Sequence, residues 1–313
     1  MNAHCFKTVF SKRLGARVAV GEHASNQGKA TGASAPVHST PSTSGAAWGS
    51  GFCGALSTTF AFVSLAWASP AWAQVPPAPQ ALPTGGQVVQ GAVQFNTHAQ
   101  QLNILQGSDR AAVNWQSFDI GAAAKVNVVQ PSAQSVLLNR VGGESPSQIF
   151  GQLQANGQVI LVNPNGMVFG KDGSVSAAGF TGSTLNISDA DFMAGKERYT
   201  RSGTAAAASA IVNRGLIQAA PGGYVALLGA SVSNEGAIVA PQGNVFMAAA
   251  DAVTLPSPTV GLPIGSSGRI RLELTPASIS AAVANHKGGT IVTEGGQVYL
   301  QAAALNQAMA TVL

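Results

Sequence analysis

The chain has 313 residues, of which only 9% are charged and 6% aromatic, while glycine occurs 37 times. Long helices with charged outer faces do not fit that composition, whereas many short strands joined by tight turns do. The net charge of +4 resides in residues 1–73, where Lys7, Lys12, Arg13, Arg17 and Lys29 stand against the single Glu22; beyond them the charges balance, so no nucleic-acid surface is expected.

Residues 1–73 read as an export signal. A basic, mildly apolar opening, "MNAHCFKTVFSKRLGARVAVGEHAS", leads into a Ser/Thr/Pro-rich spacer with no fold-forming pattern. The uncharged run "GALSTTFAFVSLAWA", residues 54–68, follows, and Ala71-x-Ala73 supplies a small-residue cleavage site. Cleavage is expected after Ala73, because an apolar run of this length falls short of the ~20 residues that span a bilayer. The long basic extension resembles the extended signal region of very large Gram-negative exoproteins. Cys5 and Cys53 both precede the cut, so the processed chain would hold no disulfide or thiolate metal site.

Farther along, "GQVILVNPNGMVFGKDG", residues 157–173, places the turn-forming Asn163, Pro164, Asn165 and Gly166 between two apolar runs. A β-hairpin or a corner between two buried strands would both suit the tetrad. In "NISDADFMAGKERY", Ser188 followed by Asp189 and Asp191 reads as a capped short helix, and "KERYTR", residues 196–201, as a solvated loop.

Internal repeats decide the corner. "IVAPQGNVFMAAA" from Ile238 aligns without a gap on "IVTEGGQVYLQAA" from Ile291, and "IQAAPGGYVALLGA" from Ile217 fits with one extra residue in its turn. Asn213-x-Gly215 and Asn234-x-Gly236 precede two copies, and Asn285 precedes the third. A unit of this size cannot bury its apolar face alone, and stacking neighbours solves that. Stacking would set Ile on Ile, Val on Val and Asn on Asn, with Asn and Gly at corners for their tolerance of left-handed angles. The expected fold is all-β, a parallel β-helix, in which two buried strands must be joined by a sharp corner. The chain stops at "LNQAMATVL", where another corner would be due, and the expectation is a truncated solenoid over residues 74–313.

Chemistry-bearing groups do not cluster along the chain. Asp109, Asp119, Glu144, Asp172 and Glu235 are dispersed, and His98 and His286 are the only histidines beyond residue 73. No catalytic, cofactor or metal site is expected, so the chain does not read as an enzyme.

"NWQSFDIG", "VVQPSAQSVLLNRVGG", "PSQIFGQLQANGQVILVNPNGMVFG" and "FTGSTLNIS" follow one another between Asn114 and Ser188. This succession resembles the filamentous haemagglutinin N-terminal domain, the secretion domain of two-partner secretion exoproteins. Lacking an NPNL element, the chain looks closer to the high-molecular-weight adhesin branch. The resemblance implies a right-handed parallel β-helix with an N-terminal cap and small extra-helical strands. It implies export to the cell surface through a cognate outer-membrane barrel transporter, whose periplasmic (POTRA) domains recognise the unfolded chain. Asn163, Pro164, Asn165 and Gly166 match the family motif, and Asn139 and Arg140 a looser one. The tetrad could equally be a corner with no partner, or do both jobs in turn. Two further readings stand beside secretion: a self-contained adhesin for a host-cell or surface glycan or protein receptor, and a polysaccharide-cleaving enzyme, which the scattered carboxylates disfavour.

Overall fold

The computed structural model describes residues 6–11, 16–21, 75–201, 209–255, 271–273, 281–303 and 310–312. Two units divide the chain, Met1–Ser69 and Pro70–Leu313. In the first, β1 (Phe6–Ser11) and β2 (Ala16–Gly21) form an antiparallel hairpin. The run 54–68, both cysteines, Ala71 and Ala73 lie outside the described residues.

Strands dominate the second unit, with one short helix among its described residues. Two edge strands, β3 (Gln87–Gln90) and β4 (Val93–His98), pair antiparallel with β6 (Arg110–Trp115) and β5 (Gln101–Gln106) respectively. Every other pairing in this 14-stranded sheet is parallel. From β5 one ladder runs through β7 (Lys125–Val129) and β10 (Gln152–Ala155) to the first half of β13 (Ser174–Ser183). From β6 another runs through β8 (Val136–Val141) and β11 (Gln158–Val162) to its second half. The long β16 (Leu216–Gly229) continues both, onto β18 (Ala237–Val239) and β19 (Asn244–Ala249), then β23 (Thr290–Val292) and β24 (Val298–Ala302).

A second sheet is parallel throughout, in the order β9 (Ser147–Ile149), β12 (Met167–Phe169), β15 (Ala210–Asn213), β17 (Ser231–Asn234), β22 (Ala281–Asn285) and β25 (Ala310–Val312). The strands flanking the Asn-Pro-Asn-Gly tetrad, β11 and β12, therefore belong to different sheets. The tetrad is a corner, and the hairpin alternative is excluded.

The repeat register holds residue by residue. Ile217 pairs with Ile238 and Ile238 with Ile291, while Leu227, Met247 and Leu300 stack in the same way. Asn213 Nδ2 donates to Asn234 Oδ1 at 2.8 Å, and Asn234 Nδ2 to Asn285 Oδ1 at 2.7 Å. The expected left-handed angles are found at glycines and not at the ladder asparagines: Gly222, Gly288 and Gly295 have positive φ, as do Gln242 and Glu294, whereas Asn213, Asn234 and Asn285 do not. Gly243 is required by close approach instead: a Cβ there would lie 2.0 Å from the Gly223 carbonyl oxygen.

The alternating residues Ile104, Val126, Leu153, Val175, Ile217 and Ile238 fill one core, and each such side chain contributes roughly 1.5–3 kcal/mol. A second core covers the opposite face of the main sheet. There Leu138, Ile160, Tyr224, Ala226, Leu228 and Phe246 pack with Leu185, Ile187, Phe192, Tyr199 and Val253. Strands buried on both faces read as continuous apolar runs, so alternation could not announce it. The cover comprises the helix α1 (Asp189–Met193) and an antiparallel sheet of β14 (Arg198–Thr200), β20 (Ala252–Thr254) and β21 (Arg271–Glu273). Residues 196–201 are thus not a solvated loop: Glu197 and Tyr199 are buried and β14 runs through them.

Candidate recognition segment

Asn163 follows the last residue of β11, where the chain turns from the main sheet to the second one. Its backbone N–H donates to Ser183 O at 2.9 Å. Its side-chain oxygen accepts from Asn165 N at 2.9 Å, the local bond that makes Asn a turn former. Its Nδ2 donates to Ser145 O and Ser147 Oγ, both at 3.0 Å. Asn165 Nδ2 reaches Gly143 O at 2.7 Å. The corner is thereby stapled to the preceding corner, residues 143–147. Gly166 has φ +108°, and a Cβ on it would meet the Ala210 carbonyl oxygen at 2.7 Å, which leaves glycine as the residue that fits. Asn163 is fully buried, Gly166 buried, and Pro164 and Asn165 half-buried.

Asn139 and Arg140 lie on β8, and β8 is hydrogen-bonded to the strand that ends at the tetrad. Asn139 is fully buried; its Oδ1 accepts from Trp115 Nε1 at 3.0 Å. Arg140 points the other way and ties the main sheet to its cover. Its guanidinium donates to Asn186 Oδ1 (2.9 Å), Asn114 Oδ1 (3.2 Å), Ile187 O (2.8 Å) and Asp189 Oδ1 (2.8 Å). The capped helix is present as expected, with Ser188 Oγ accepting from Asp191 N at 3.1 Å. Its first acid, Asp189, is the partner of Arg140 rather than half of an acid–base pair.

Sequence reasoning missed a buried polar group under the cover. Tyr199 Oη donates to Glu197 Oε2 at 2.5 Å, and Arg110 Nη2 stands 3.5 Å from Glu197 Oε1. The Arg110 guanidinium lies 4.4 Å from the Phe192 ring centroid, a cation–π distance. Burial pushes the Glu197 carboxyl above its usual range, partly offset by the Tyr199 hydroxyl and the Arg110 charge. No local pattern signals this group, because Arg110 and Glu197 are far apart in the chain.

Comparison with known proteins gives these features a family. The model of the TPS secretion domain matches residues 79–313, and that of the Extended Signal Peptide of Type V secretion system matches residues 1–51. A heme/hemopexin-binding protein of Haemophilus influenzae is 32% identical over 240 residues, covering 73% of this chain and 24% of the relative. A second protein of that name is 39% identical over 105 residues, covering 34% of this chain and 11% of the relative. The chain thus spans about a quarter or less of these curated relatives. The HMW1 secretion domain from Haemophilus influenzae superposes with a TM-score of 0.58 at 31% identity, covering 69% of this chain and 57% of that one. This likeness agrees with the adhesin branch expected from the motifs. An export signal followed by a secretion domain is the arrangement of a two-partner secretion exoprotein, sent to the surface of a Gram-negative cell. The chain belongs to the TPS secretion domain family.

Proposed function

We propose that the Asn163–Gly166 corner and the Asn139–Arg140 pair are read by the periplasmic domains of a cognate outer-membrane barrel transporter while the chain is still unfolded. The observation that carries this reading is the complete burial of Asn163. A side chain whose donors and acceptor are all committed inside a closed corner offers a partner nothing, so recognition must precede closure.

In this reading, residues 1–73 are removed after Ala73, and residues 74–313 then wind outside the cell as a right-handed parallel β-helix. β3 and β4 form its N-terminal cap, and β14, β20 and β21 are its extra-helical strands. The parallel, in-register ladders support the winding, and the antiparallel edge strands support the cap. The domain directs export rather than catalysis, and the exoprotein meets a host-cell or surface receptor. A chain that crosses a narrow pore unfolded gains from low charge and from having no cysteine to cross-link.

Secretion assays with and without the transporter test this. Release into the medium should require the transporter, and Asn165→Ala should cut it several-fold. That substitution removes one exposed-side hydrogen bond and costs roughly 1 kcal/mol of stability. Ile187→Val in the second core costs about the same and should be released normally. Equal release of the two variants would refute recognition through the corner.

A further inference from the structure

We infer that the outer face of the main sheet from β5 to β16, uncovered among the described residues, is a binding groove for a linear polysaccharide. The parallel register lines its outward side chains into two rows. One contains Asn103, Asn127, Gln154, Ser176 and Gln218, the other Gln101, Lys125, Gln152 and Ser174. All are exposed or half-buried. A groove of about 460 Å³ crosses these strands at Asn127, Val129, Gln154, Asn156 and Ser176, within the range of ligand sites.

The chemistry selects the occupant. An amide carries both donors and an acceptor, the complement of a sugar hydroxyl; Gln101 and Asn127 each donate to Asn103 Oδ1, while the side chains of Gln152, Gln154 and Gln218 have no hydrogen-bond partner among the described residues. Strands ~4.8 Å apart repeat a polar offer in steps, so an extended chain of hydroxyl-bearing rings lying across the strands meets an amide at β5, β7, β10 and β16 and the Ser176 hydroxyl at β13. Leu105 and Val129 are paired neighbours at 42% and 45% exposure, an apolar strip suited to the C–H face of a ring. Lys125 is the only charge in the two rows, too little cation for nucleic acid. Neither row holds the aromatic anchors of a protein interface. The face contains neither Asn163 nor Arg140, so the inference stands apart from the secretion reading.

The test uses the chain purified from the medium and fluorescently labelled cellohexaose and hexagalacturonate, followed by fluorescence polarisation. Saturable binding of at least one hexasaccharide is expected, with weaker binding of the corresponding disaccharide, which spans fewer strands. The Asn127→Ala/Gln154→Ala double variant should lose roughly tenfold in affinity with an unchanged melting temperature. Gln218→Ala, at an exposed position that does not hold the sheet together, should give a smaller loss. Preference for hexagalacturonate that disappears in Lys125→Ala assigns the charge to uronate recognition. Absence of saturable binding by either hexasaccharide, or affinity unchanged in both the double variant and Gln218→Ala, would overturn the inference.

Discussion

Asn234 accepts a hydrogen bond from Asn213 and donates one to Asn285, so its removal takes a partner from a buried donor below and from a half-buried acceptor above. Asn234→Ala should therefore cost about 1–3 kcal/mol, read as a lower urea midpoint. Glu197 makes a different kind of prediction. Its folded carboxyl is raised above the ordinary value of 4.5 by burial, so the native state holds the proton more tightly than the unfolded chain does. The stability this group contributes is fully present below the unfolded value and is lost as pH rises through the folded one. Asp119 is also raised, chiefly by burial, and contributes with the same sign. Urea midpoints taken between pH 5 and 7 should thus fall more steeply with rising pH in the wild type than in Glu197→Gln. The slope carries the test, since the substitution also alters the Arg110 contact.

Between elements, the cover over the main sheet is held by few anchors. Phe192 of α1 is fully buried in the second core, and Phe192→Ala should cost about 3–5 kcal/mol. The substitution should raise hydrogen exchange in α1, β14 and β20 before it affects the ladders of Ile217, Ile238 and Ile291. The two cores differ in how well the sequence announced them. The inner one was legible because identical residues recur at a fixed spacing, as Asn213 and Asn234 do, and stacking turns that spacing into contact. The outer one was not, because Leu138 beside Leu137 and Phe246 beside Val245 look alike whether one face is buried or two. Tyr199 and Glu197 sat in a stretch with the composition of a loop, and only pairing with Arg110 and β20 shows why they are buried. The corner at Asn163 was legible as a turn, since its residue types carry their own geometry. Its staples to Gly143, Ser145 and Ser147 depend on which corner lies beneath it, and composition does not encode that.

Across the second unit, parallel stacking pairs corner side chains with a neighbouring corner, as with Asn165 and Gly143 or Asn213 and Asn234. In the proposed reading, folding seals Asn163, and this links export to the order of events: read first, closed afterwards. The most direct measurement is the affinity of the transporter's isolated periplasmic domains for the wild-type chain held unfolded in urea and for the same chain fully folded, with both forms assayed at the same low urea concentration after a rapid dilution. The account predicts that the unfolded form binds, that the folded form does not, and that binding disappears with the kinetics of folding. Equal binding by the folded chain, in which Asn163 is sealed, would contradict it.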